Sequence, residues 1–245
     1  MCFTSTPIPL LQFDFLEYSG TKWKCRPGCA IDDGTLSSEI IWALQNDFFE
    51  LLTNEKYIRF EETSINADHN LMEDLQLISH VWKDQRLFIT MKNFAPSAEF
   101  ARLINTVHTL ELGLPGCIKI LPELLESNIT CISVTDLTTS PGHNFSLELI
   151  LDHLFKPVGS SPNNEARYFE IYTRPQKAVW YDEIVHGFKQ RFLESPNPPA
   201  FRFVKNHLGM IKWRNAKNFT LYNEAGTKRM EVSINGDYSF SIDVQ

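Results

Sequence analysis

Residues 107–137, VHTLELGLPGCIKILPELLESNITCISVTDL, carry the reading that decides the fold. The run 107–112 is β-rich, with Val107, Leu110 and Leu112 as its apolar positions. The run 117–125 instead spaces Leu121, Leu124 and Leu125 by the steps of one helical face. The run 129–137 returns to strand character through Ile129, Ile132, Val134 and Leu137. Strand, helix and strand thus follow one another within a single short stretch.

The same alternation continues outward in both directions. β-rich runs at 57–65 and 86–91 precede the central stretch, and runs at 167–173 and 201–204 follow it. Amphipathic helices are expected between them. Leu71, Leu75, Ile78 and Trp82 form one stripe over 70–83, and Phe100, Leu103 and Ile104 form another after Pro96-Ser97. Leu147, Ile150, Leu151, Leu154 and Phe155 fill one face of 146–155. Trp180, Ile184, Phe188 and Phe192 repeat every four residues over 177–193, and Ser195-Pro196-Asn197-Pro198-Pro199 stops that helix. A further helix is expected over 37–52, with Ser37 as its N-cap.

Strand then helix, repeated, favours parallel strands joined by right-handed crossovers. A doubly wound sheet and an open solenoid of leucine-rich-repeat type both satisfy that pattern. The onsets of the runs are 29, 21, 22, 38 and 34 residues apart. The two shortest steps fall within the period of about 20–29 residues of leucine-rich repeats. Ile129-x-x-Ile132-x-Val134-x-x-Leu137 fits the apolar skeleton of that repeat, and Val107-x-x-Leu110-x-Leu112 fits its first half. The expected fold class is therefore α/β, with irregular leucine-rich-repeat-like strand–helix units.

Past residue 204 the pattern changes to short strands at 210–214, 218–223, 227–234 and 238–244. Asn235-Gly236 is a hairpin signal of the type I′ kind, since both residues tolerate positive φ. Ala225-Gly226 marks a second turn. These strands are read as a C-terminal antiparallel β-meander. The organisation expected is an irregular lead-in over 1–34 with strand-like apolar runs at 10–16, an α/β repeat-like domain over 35–209, and a meander over 210–245 packed on it.

Composition narrows the function classes. The formal charge of −7 argues against a general nucleic-acid binder. That charge is unevenly spread. Residues 201–230 hold seven lysines and arginines against one acid, Glu224, a local balance of +6 that leaves −13 for the rest of the chain. Such asymmetry marks a candidate partner surface. Arg202, Lys205, Lys212, Arg214 and Lys217 are the candidate contact residues, suited to a protein partner with an acidic surface. The five cysteines, an odd and scattered set, suit a reducing compartment. No basic segment followed by an apolar core opens the sequence, and no run of about 18 apolar residues spans a membrane. The protein reads as intracellular, cytoplasmic or nuclear.

Reactive chemistry is sparse. Cys25-x-x-x-Cys29 lacks the second ligand pair that a tetrahedral zinc site needs, so no metal is expected. Cys117 and Cys131 sit in apolar runs, where a thiol behaves as a small hydrophobe. No nucleophile elbow, phosphate-binding loop or dinucleotide fingerprint occurs, and no cofactor is expected. Glu61-Glu62 and Asp182-Glu183 point away from each other in either secondary structure and make no carboxylate dyad. Phe201 and Phe203 lie two apart on a strand, hence on one face, which points inward instead of forming a nucleic-acid stacking platform. An enzyme would have to assemble its site from dispersed residues, and that alternative stays open.

The stretch Lys119-Ile-Leu-Pro122-Glu-Leu-Leu-Glu-Ser-Asn-Ile-Thr-Cys131-Ile-Ser-Val-Thr-Asp-Leu137 resembles a segment of the nematode F-box-associated domain families, including the one called FTH. There an Ile-Leu-Pro helix leads into the strand of a leucine-rich-repeat-like unit. The resemblance covers roughly residues 55–210. It implies a non-enzymatic substrate-recognition module of a cullin-based ubiquitin ligase, without catalytic residues. Members usually open with an F-box that binds the ligase adaptor. The opening here, Thr6-Pro7-Ile8-Pro9-Leu10-Leu11-Gln12-Phe13, followed by turn signals, does not read as one.

Overall fold

The computed structural model describes residues 11–19, 22–27, 58–68, 71–82, 85–127, 129–136, 146–157, 166–173, 179–207, 217–236 and 239–245. The helix expected over 37–52 and the strand expected over 210–214 lie outside these residues. In chain order the elements are β1 (Leu11–Ser19), β2 (Lys22–Pro27), β3 (Ile58–Ala67), α1 (Met72–Ile78), β4 (Arg86–Met91), α2 (Ala98–Leu103) and β5 (Thr109–Leu114). They continue with α3 (Leu121–Glu126), β6 (Cys131–Asp136), α4 (Leu147–Phe155), β7 (Arg167–Thr173), α5 (Val179–Glu194) and β8 (Phe201–His207). The chain closes with β9 (Phe219–Tyr222), β10 (Arg229–Asn235) and β11 (Ser239–Val244). Short 3-10 turns, Ser79–Trp82 and Cys117–Ile120, follow α1 and precede α3.

Local chemistry explains where several helices start and stop. Ser97 adopts an extended backbone and accepts a hydrogen bond from the Phe100 N–H at 3.3 Å, capping α2. Pro122 sits in the first turn of α3, where its missing N–H has no helical partner to lose. The sequence stripes become buried faces. Leu71, Leu75, Ile78 and Trp82 are all buried, as are Ile184, Phe188 and Phe192 of α5.

All eleven described strands join one sheet in the order β2-β1-β3-β4-β5-β6-β7-β8-β11-β10-β9. From β3 to β8 each strand lies parallel to its predecessor and on the same side of it. The order never reverses within that run, so the parallel strands are not doubly wound. Right-handed crossovers that always advance one way put every intervening helix on one face of the sheet. Side-chain contacts agree. Phe188 of α5 meets Phe203 of β8 with ring centroids 4.9 Å apart, and Phe155 of α4 meets Phe201 at 5.0 Å.

The covered face holds the core. Leu87, Leu110, Ile132, Phe169, Phe203 and Ile242 are aligned by strand register and fully buried. Ile89, Leu112, Val134 and Ile171 form a second buried row beside them. Val107 and Ile129, the first positions of the two apolar skeletons, are buried as well.

The antiparallel strands β9, β10 and β11 continue this sheet edge to edge, because β11 pairs with β8. At the expected Ala225-Gly226 turn, Gly226 takes φ +67°. The buried Asn223 side chain organises that turn, its Oδ1 accepting from the N–H groups of Thr227 at 2.9 Å and Lys228 at 3.0 Å. The Asn235-Gly236 hairpin forms, with Gly236 at φ +68°. Asn235 pairs with Ser239, however, so three residues close the loop and not the two of a type I′ turn.

One expectation for the N-terminus needs revision. The lead-in read as irregular contains two strands, with β1 parallel to β3 and antiparallel to β2. Leu16 and Tyr18 of β1 are buried. The strand-like runs expected at 10–16 fall in β1, where Leu11, Phe13 and Phe15 alternate with Gln12 and Asp14 along the sequence. No described helix is long and apolar enough to cross a membrane.

Candidate functional site

Among the described residues, the helices between β3 and β8 lie on one side and none covers the opposite face of β3–β7. Strand register aligns its side chains in rows that run across the strands. The middle row is Ser64, Phe88, Glu111, Ser133 and Glu170, from β3 to β7. The row toward the strand starts holds Glu62, Arg86, Thr109, Cys131, Tyr168 and Arg202. Toward the strand ends lie Thr90, Gly113, Thr135, Tyr172 and Asn206. Arg86, Thr90 and Glu111 are exposed, while Phe88, Thr135, Tyr168, Glu170 and Tyr172 are half-buried. Burial deepens toward the antiparallel strands, where Val204 and Ser241 are buried.

Glu170 is the hub of this face. Ser133 Oγ donates to its Oε2 at 3.3 Å, and Asn206 Nδ2 donates to its Oε1 at 2.6 Å. Tyr168 and Tyr172 flank it two residues away on the same strand, hence on the same face. Burial, and then a hydrogen bond to Glu170, pushes the Tyr172 phenol up to about 12 and raises that of Tyr168. Among the described residues, the four groups around Glu170 are neutral donors. They fix the carboxylate's direction and leave its charge uncancelled.

Glu111 lies two strands away, about 10 Å along the row. The sheet around it desolvates its carboxyl, and the charge of Glu170 acts in the same sense, so its pKa is raised. The other acids of the open face on β3–β11 have cations beside them. Asp243 pairs with Arg202 at 3.6 Å, Glu231 with Arg229 at 3.8 Å, and Glu62 stands opposite Arg86 in register. The middle row between β4 and β7 therefore holds two carboxylates and no cation.

The five cations singled out from the sequence do not form one patch. Arg202 is exposed on the open face. Lys217 is exposed just ahead of β9, and its backbone carbonyl accepts from the Tyr181 hydroxyl at 3.2 Å. Lys212 and Arg214 lie outside the described residues. Lys205 corrects the expectation of a surface contact. It has the strand parity of Phe203, lies on the covered face between Ile171 and Phe240 in register, and is fully buried. Its Nζ donates to the Asn206 carbonyl at 3.0 Å, and burial lowers its pKa to about 7. Charge concentration along the chain missed this because alternation sends neighbouring residues to opposite faces.

The residues that do converge, Glu111, Ser133, Tyr168, Glu170, Tyr172 and Asn206, drew no attention in the sequence. Their local signal was the alternation Tyr168-Phe169-Glu170-Ile171-Tyr172, in which the polar set shares one face. Burial pushes the Cys117 thiol up to about 12, the character of an inert core residue. Among the described residues no cluster of His, Cys, Asp and Glu is arranged to hold a metal ion. A concavity of about 520 Å³ opens beside the ends of α4 and α5, lined by Asp152, Phe155, Lys156, Arg191 and Glu194. Two of its four charged residues, Asp152 and Arg191, pair with each other. No protein-family model, curated protein or solved structure matches this chain.

Proposed function

We propose that the protein is a non-enzymatic protein-interaction module whose contact surface is the open face of β3–β7. The observation that carries this reading is the one-way strand order, which gathers the helices on one face and leaves the other lined with side chains in register. Half-buried aromatic rings next to exposed polar groups, here Phe88, Tyr168 and Tyr172, are the composition of protein contact surfaces. The units are read as leucine-rich-repeat-like, supported by the buried skeleton positions Val107, Leu110, Leu112, Ile129, Ile132 and Val134. A role as an intracellular substrate-recognition module akin to F-box-associated domains follows from the resemblance of residues 119–137.

The test is a quantitative affinity purification with two variants. Thr135→Trp places a bulky neutral group on the open face beside Tyr172, and Lys189→Trp places the same group on the exposed side of α5. The reading expects Thr135→Trp to lose partners that wild type and Lys189→Trp retain. Equal partner sets for all three would sink it. Recovery of a ligase adaptor and cullin among the lost partners would support the F-box-associated role.

A further inference from the structure

We infer that the open face between β4 and β7 docks a lysine- or arginine-bearing segment of a protein partner, with the cationic side chain entering between Glu111 and Glu170. The inference rests on the reading of that face as the contact surface.

Charge complementarity carries it. The acids Glu62, Asp243 and Glu231 each have an arginine as ion-pair partner or register neighbour. Glu111 and Glu170 have only Phe88, Ser133 and Val204 beside them in register. Arg202, diagonal to Glu170, is engaged by Asp243, and Arg86, diagonal to Glu111, stands opposite Glu62 in register. Burial chiefly raises the Glu111 pKa, and the charge of Glu170 adds to it, so the two carboxylates also repel each other. A cation placed over Ser133 converts that repulsion into two attractions.

The surroundings suit a side chain more than a free ion. Phe88 neighbours Glu111, and Tyr168 and Tyr172 flank Glu170, so an alkyl stem finds rings to lie against while its charged end reaches the acids. Hydrogen bonds from Ser133 and Asn206 hold Glu170 in place before any partner arrives. The distance from β4 to β7 is about 15 Å, which an extended segment of four or five residues spans. A nucleic acid is the wrong sign for this row.

Fluorescence anisotropy with a labelled heptapeptide of alternating lysine and threonine tests the inference, with its glutamate counterpart as the reference probe. Two double variants carry the same change in net charge. Glu111→Gln with Glu170→Gln alters the row, while Glu148→Gln with Glu183→Gln alters exposed sites on α4 and α5. Circular dichroism checks that both keep the wild-type fold. Loss of the two exposed-to-half-buried charge contacts predicts about tenfold weaker binding for the first pair and less than about twofold for the second. Equal weakening in the two, or no binding of the lysine peptide by wild type, overturns the inference. If Thr135→Trp still removes cellular partners in that case, the face remains a contact surface and only its cationic specificity fails. If Thr135→Trp removes none, the reading of the face fails first.

Discussion

The two faces of the sheet are made by the same strands and differ in nearly everything else. In β7, Phe169 and Ile171 are fully buried under the helices, while Tyr168, Glu170 and Tyr172, their immediate neighbours, are half-buried on the other side. The covered face gains stability from apolar burial, with Lys205 and Arg167 as its buried charged exceptions on the strands. The open face arranges its polar groups in register and gains little stability from them. On the proposed reading, stability and recognition fall on opposite sides of one structure, separated only by strand parity.

The largest expected effect belongs to the covered face. Phe203 stacks on Phe169 at 6.1 Å and packs against Phe188 and Phe240. Phe203→Ala should cost about 3–5 kcal/mol in a denaturant titration, through lost burial and the cavity left behind. A loss below about 1 kcal/mol would show that this face does not dominate stability.

An intermediate effect tests how the covered face handles a polar intrusion. His153 of α4 is buried, and its Nδ1 lies 2.8 Å from the Leu125 carbonyl and 3.3 Å from Arg167. With its proton on Nδ1, the ring donates to Leu125, so Arg167 stands beside it as a second donor and not as a partner. Burial lowers the His153 pKa from 6.5 to about 4, the Leu125 carbonyl opposes that shift, and Arg167 adds to it. The unfolded chain therefore takes up the proton first, and stability is lost as pH falls from 6.5 toward 4. Unfolding midpoints across that window should show wild type losing roughly 3 kcal/mol more than His153→Gln. Parallel pH profiles for the two would refute the assignment.

The smallest effect belongs to the open face. Glu170→Gln keeps the shape and removes the charge, and should destabilise by about 1 kcal/mol or less. Its clearer readout is Glu111, whose carboxyl should titrate closer to its ordinary value once Glu170 no longer repels it. Carboxyl-resolved NMR titration would detect that shift. An unchanged Glu111 would mean that the two acids act independently.

Much of the fold was legible because burial writes its period locally. The β-rich runs correspond to β3 through β8, and the helical stripes became buried faces with boundaries displaced by a few residues. At the N-terminus the strand-like runs at 10–16 foreshadow β1, where Leu11, Phe13 and Phe15 alternate with Gln12 and Asp14, while β2, rich in lysine and arginine, carries no such signal. The site was legible only in fragments. Parity alone groups Tyr168, Glu170 and Tyr172, yet nothing local says that Ser133 and Glu111 are their neighbours across the sheet. That knowledge lives in strand order and register, which long-range pairing sets. The same limit explains Lys205. It counts as a surface cation when charges are summed along the chain, and as a core residue once its parity with Phe203 is known.

The one-way strand order also governs how the molecule comes apart. From β3 to β8 each unit leans mainly on the units immediately before and after it, so coupling passes from neighbour to neighbour, as along a stack of coins. Damage near β5 would divide the stack into two shorter ones, each still holding its own helices, instead of melting the whole at once.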